Sequence, residues 1–176
     1  MSTPAHEDFV AVKPGLLFPR TISGFSEGVE VLDIARAGLF GTEPSPYDIA
    51  VTATWSEEKL AYEIDKLEVR RNYSNEPITA LGLRRVRLQE VFQAIVMRDV
   101  RYSDGSPVPT RILPSDPAKR RPRGDDAERL RIAAEVYTLA RAFGERPLKA
   151  VGEKLGVSQS TATRLAARAR EEGLLS

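Results

Sequence analysis

The amino-acid sequence predicts an α+β N-terminal domain, a β-hairpin or small antiparallel sheet with an amphipathic helix, followed by an all-α domain of three helices. Three stretches of the 176 residues carry that prediction: an alternating run over 47–71, helical periodicity over 86–100, and wholly helical spacing after residue 124. Between the last two, "SDGSPVPTRILPSDPAKRRPRGDD" (103–126) holds five prolines and two glycines and has no apolar period. Proline removes amide donors and biases its neighbours to extended backbone, so this stretch reads as a semi-rigid linker. The resulting boundaries are 1–102 for the α+β domain, 103–124 for a proline-rich basic linker and 125–176 for the helical domain.

Taken in order, "GVEVLDIARAGLFG" (28–41) reads equally as a strand or as a short helix stopped by Gly41. "YDIAVTATW" (47–55) alternates and is rich in strand formers. "KLAYEIDKLEVRR" (59–71) alternates too, with Leu60, Tyr62 and Ile64 on one parity and Leu67 and Val69 on the other. The short "SEEK" between them suits a hairpin turn, and the parity change requires a bulge near Asp65 and Lys66. In "VRLQEVFQAIVMRDV", Leu88, Val91, Phe92, Ile95 and Val96 fall at helical spacing, with Gln89, Glu90, Gln93 and Arg98 opposite. Two strands are rarely stable alone, so a further strand from the first 46 residues or from a partner chain completes the sheet.

After the linker, "DDAERLRIAAEVYTLARAFG" opens with Asp125 or Asp126 as N-cap and closes at Gly144. Its apolar stripe is Leu130, Ala133, Ala134, Val136, Tyr137, Ala140 and Phe143. A second helix starts at Pro147 and runs to about Leu155. Ser158 caps a third, which reaches about Glu172 and stops at Gly173.

Composition narrows the function classes. No run of about 18 apolar residues exists, so no membrane span is expected. The start lacks a basic segment and a long apolar run, which argues against a secretory signal. The chain has no cysteine, so disulfides and thiolate zinc sites are excluded and a cytoplasmic location is expected. The net charge of +1 conceals an asymmetry: residues 1–115 hold 13 basic and 16 acidic side chains, residues 116–176 hold 13 and 9. A basic C-terminal third suits a polyanionic partner.

Catalytic candidates are few. His6 is the only histidine and stands alone near the start, so neither general base nor metal ligand is expected of it. Glu57, Glu58, Glu63, Asp65 and Glu68 look like a carboxylate cluster, but alternation divides them between two faces and the turn. "GFSEGVE" lacks the lysine and glycines of a phosphate loop. Trp55 reads as a core or interface residue, and Arg84, Arg85 and Arg87 as an exposed helix start. The expectation is no enzyme, no metal and no cofactor.

The most informative stretch is "LKAVGEKLGVSQSTATRLAARAREEGLL" (148–175). Gly156 can take the left-handed turn that ends one helix, and Ser158 can accept an amide hydrogen bond that opens the next. Leu155 and Val157 fill the angle between them, and Leu165 faces inward. Residues 147–172 resemble the helix-turn-helix of bacterial transcription regulators. Two positions depart from that pattern: Gly152, where the family usually has alanine, and Ala162, where valine or isoleucine is commoner. The chain stops after "GLLS", so a three-helix module without a wing is expected.

The resemblance implies that the third helix enters the major groove of double-stranded DNA. Carried over by position, Gln159, Ser160, Thr163 and Arg164 read bases, while Ser158 and Arg168 contact the backbone. No acidic residue lies between Ser158 and Arg170, which fits that use. Lys119, Arg120, Arg121 and Arg123 precede the module as a basic arm of the kind that enters a minor groove. The expected function is a sequence-specific DNA-binding transcriptional regulator. It would act as a homodimer across half-sites roughly 34 Å apart, with a protein partner possible through the N-terminal domain. Two alternatives stand beside it: a DNA-binding accessory factor of a mobile element, and a protein–protein adaptor that binds no DNA.

Overall fold

A computed structural model describes residues 8–26, 47–71, 88–109 and 126–175. The expected 28–41 element, His6, Arg84, Arg85, Arg87, the arm at 119–123 and Asp125 lie outside the described residues. Within them the protein is α+β, with two three-stranded antiparallel sheets and four helices.

The first sheet has the order β1 (Phe9–Val12), β2 (Leu16–Pro19), β6 (Arg101–Tyr102). The second has the order β3 (Thr21–Ser26), β4 (Tyr47–Ser56), β5 (Ala61–Arg71). The chain passes from one sheet to the other at Arg20. There its amide donates to the Asp8 carbonyl at 2.7 Å and its carbonyl accepts from the Trp55 amide at 2.8 Å. The further strand that the hairpin needs is therefore β3, supplied by this chain.

β4 and β5 form the expected hairpin around a turn at 57–60. The register slips between Thr52 and Ala53, which pair with Lys66 and Ile64, so Asp65 is the extra residue of a bulge. The odd-to-even change in the apolar pattern has this bulge as its cause. It returns Leu67 and Val69 to the face that carries Tyr62 and Ile64.

Helix α1 (Leu88–Asp99) lies on that face against β3, burying Val91, Phe92, Ile95, Val96 and Met97, while Leu88 stays 40% exposed. A chain of aromatic contacts runs through the core. Phe18 stacks on Trp55 at 4.7 Å between centroids, Trp55 meets Tyr62 edge-on at 5.1 Å, and Tyr62 meets Phe92 at 6.0 Å. Phe92 then meets Phe143 at 6.4 Å. Such pairs are worth about 0.5–1.5 kcal/mol each beyond the area they bury. Burial pushes the Tyr62 phenol far above its ordinary range, with the charge of Asp99 adding to it. The neutral hydroxyl donates to the Pro19 carbonyl at 2.8 Å.

Phe143 belongs to the end of the next helix, so the same core holds the helical part. α2 (Asp126–Ala142), α3 (Pro147–Leu155) and α4 (Gln159–Glu171) each pack on the other two. α2 is buried on three sides. Leu139, Ala142 and the following Phe143 join the sheet core; Ala133, Val136 and Ala140 face α3; Leu130 and Ala134 face α4. Polar contacts tie the same junction: Thr138 donates to the Lys13 carbonyl at 2.9 Å, and Arg141 to the Lys59 carbonyl at 3.1 Å.

Residues 103–109, the start of the expected linker, turn back on β6. Tyr102 donates its amide to the Ser106 carbonyl at 2.8 Å, and Val108 is buried in the main core. Asp104 accepts from the Ser106 hydroxyl and amide, which hold its carboxyl below the usual carboxylate range.

Candidate nucleic-acid interface

The turn between α3 and α4 is built from backbone chemistry that "LGVSQST" encodes. Gly156 takes φ 62° and ψ 39°, and its amide donates to the Gly152 carbonyl. A side chain at this left-handed position would cost about 1–2 kcal/mol. Val157 follows, its amide donating a hydrogen bond to the same carbonyl at 2.9 Å. Ser158 then has extended backbone, and its Oγ accepts from the Thr161 amide at 3.3 Å, satisfying one of the free donors of the first turn.

α4 turns a row of small residues inward. Ala162, Ala166 and Ala169 are all buried, Ala162 against α2 and α3 and the other two against Leu130, Ala134 and Leu175. With that row fixed, Gln159, Ser160, Thr163, Arg164, Ala167 and Arg168 all lie exposed. The sequence-derived set therefore shares one face, with Ser158 at its N-terminal edge.

The side chains on that face differ in what already holds them. Thr163 donates its hydroxyl to the Gln159 carbonyl at 2.9 Å. Arg164 donates to the Thr161 hydroxyl at 3.3 Å. Arg168 donates to Glu172 at 3.0 Å and stands 3.7 Å from Asp126 on α2. These are exposed pairs, worth about 0–1 kcal/mol, so a phosphate can displace them. Arg170 points elsewhere: it donates to the Tyr137 hydroxyl at 2.8 Å and covers that ring at 5.0 Å from its centroid. It clamps α4 to α2.

The bulge gathers Glu63, Asp65 and Glu68 on the open face, a placement that alternation alone does not give. Each is engaged: Glu63 with Lys59, Asp65 with the Thr54 hydroxyl at 2.7 Å, and Glu68 with Arg70 at 2.8 Å and Lys66 at 3.4 Å. Hydrogen bonds and charge from Arg70, then Lys66, hold the Glu68 carboxyl below its ordinary value. Glu57 in the turn pairs with Arg20 at 3.2 Å. Among the described residues no group of three or more His, Cys, Asp or Glu is placed to hold a metal ion. No helix among them is long and apolar enough to cross a membrane.

Fold and face together define an α+β protein that carries a three-helix module whose last helix has no acidic residue between Ser158 and Arg170. The chain belongs to the Family of unknown function (DUF6214), whose model matches residues 41–176, more than half of its length. That match takes in β4, β5, β6 and all four helices, and it leaves β1 to β3 outside. No curated protein and no solved structure matches the chain.

Proposed function

We propose that this protein is a sequence-specific double-stranded-DNA-binding protein. It acts as a bacterial transcriptional regulator in the cytoplasm, with α3 and α4 as a helix-turn-helix and α4 in the major groove. The observation that carries the reading is the outward face of α4. It presents Gln159, Ser160, Thr163, Arg164 and Arg168 to solvent, and no acidic residue intervenes between Ser158 and Arg170. Gln can pair bidentately with adenine and Arg with guanine. The free amides at the start of α4, beside Ser158, suit a phosphate. The arm residues Lys119, Arg120, Arg121 and Arg123 add charge ahead of the module and extend the contact into an adjacent minor groove.

One three-helix module covers few base pairs, so the working unit is a homodimer, with the α+β domain as its pairing or partner-binding part. The test is a salt titration of binding to random and to selected duplexes. Phosphate contacts make log K fall linearly with log salt, with a slope of about −0.9 for each phosphate neutralised. Absence of binding to any duplex at low salt overturns the reading.

One observation favours a second reading, a protein–protein adaptor without DNA binding: Arg168 and Arg170 are both engaged within the module. The same titration separates the two.

A further inference from the structure

We propose that β5 is the seat of the dimer, pairing antiparallel with β5 of a second copy so that Leu67 stands opposite the partner's Leu67. This names the surface for the homodimer described above and rests on that part of the reading.

β5 is 11 residues long and, among the described residues, pairs only with β4. Its outer backbone groups form a row of donors and acceptors suited to another strand. Among the described residues, the apolar face of the sheet runs to this edge and is left partly exposed there. Ala53 and Val51 on β4 are 0% and 3% exposed, whereas their cross-strand partners Ile64 and Leu67 keep 51% and 41%. On the opposite face Lys66, Glu68 and Arg70 alternate in sign along the strand.

Cross-strand neighbours share a face, so a two-fold pairing that keeps apolar with apolar must place one residue opposite itself. With Lys66 or Glu68 on the axis, like charges meet. With Ile64 there, the bulge residues Asp65 of both copies lie beside the axis and interrupt the ladder. With Val69 there, Leu67 meets the partner's Arg71. Leu67 on the axis instead joins two exposed leucines, sets each Lys66 opposite the partner's Glu68 and, with the bulge residue Asp65 passed over, sets each Ile64 opposite the partner's Val69. The bulge at Asp65 and the alternating charges are devices that keep an edge strand from pairing indiscriminately. This edge accepts a strand with its charges in reversed order, and an antiparallel second copy supplies one.

The experiment uses the full chain without DNA. Sedimentation equilibrium should show a dimer. Lys66→Glu and Glu68→Lys should each weaken it by roughly tenfold, and the double variant should restore it. The natural chain has no cysteine, so Leu67→Cys under mild oxidation should give a covalent dimer. Val69→Cys should not, because in this register it lies about 13 Å from the partner's copy. A monomer at every concentration overturns this pairing and the homodimer together. A dimer that ignores both charge reversals and is not captured through Leu67→Cys overturns the β5 surface alone. Capture through Val69→Cys instead overturns the register.

Discussion

A β-carbon on Gly24 would run into the side chain of Ile95, so β3 and α1 lie closer than any larger residue at that position permits. Gly24 pairs with Val51 on the core face, and Ile95 is 1% exposed. Glycine inside a strand weakens it, and this close approach is the reason for one here. Gly24→Ala should lower stability by about 1–3 kcal/mol in urea unfolding. In an Ile95→Ala background most of that loss should disappear, because the colliding atoms are gone. Equal losses in both backgrounds would locate the strain elsewhere.

The hydroxyl of Ser158 can be separated from its backbone role. Ser158→Ala should cost about 0.5–2 kcal/mol in thermal unfolding, since the Thr161 amide loses its acceptor. Ser158→Gly should cost only a few tenths of a kcal/mol, as glycine at an N-cap exposes the amides to water. If Ser158 also contacts a phosphate, the glycine variant keeps the fold yet weakens binding to all duplexes alike, with the salt slope unchanged because the hydroxyl carries no charge. Unchanged affinity for every duplex would confine Ser158 to the cap.

Glu135 gives the fold a pH dependence with a definite sign. Its side chain is nearly buried on α2, paired with Arg131 at 2.5 Å and near the Tyr102 hydroxyl at 3.5 Å. Burial pushes its carboxyl above the ordinary 4.5, and the Arg131 charge and the two hydrogen bonds only partly oppose that. A carboxyl raised on folding binds its proton more tightly in the native state. Its contribution is therefore fully present below the ordinary value and is lost as pH rises through the native one. As pH rises from the ordinary 4.5 upward, the wild type should lose stability relative to Glu135→Gln, read as a shift in urea midpoint. A difference that stays flat with pH rules this out.

Local periodicity made much of this fold legible. The hairpin, its bulge, the buried face of α1 and the caps around Gly156 and Ser158 all follow from patterns spanning a few residues. What stayed hidden depends on contacts distant in sequence. β1 and β2 are four residues each, too short for alternation to register, though "KPG" between two apolar runs is a turn signal. Leu139 and Ala142 lie outside the single stripe assigned to α2, because one stripe suffices for a free-standing bundle. The second face exists to meet Phe92 and the sheet. Val108, inside a proline-rich run, carries no local sign of being buried. For the candidate interface, the pattern supplied the exposed face of α4, but not that Asp126 stands near Arg168 or that Tyr137 holds Arg170.

Arg164 and Arg168 sit one helical turn apart on the same exposed face, and their partners predict different roles. Arg164 is held by a single hydroxyl, that of Thr161, so its guanidinium can swing to a guanine edge without breaking an ion pair. Arg168 lies between Glu172 and Asp126, near the end of α4 and the start of α2, where a phosphate could replace a carboxylate one for one. Arg164→Ala should cost about 1–3 kcal/mol on a preferred duplex and relax selection at one base position. Arg168→Ala should weaken all duplexes alike and lower the salt slope by about 1. Binding of a randomised duplex library at two salt concentrations reads both quantities at once. Exchanged outcomes would exchange the two assignments, and no effect from either variant would remove α4 from the interface.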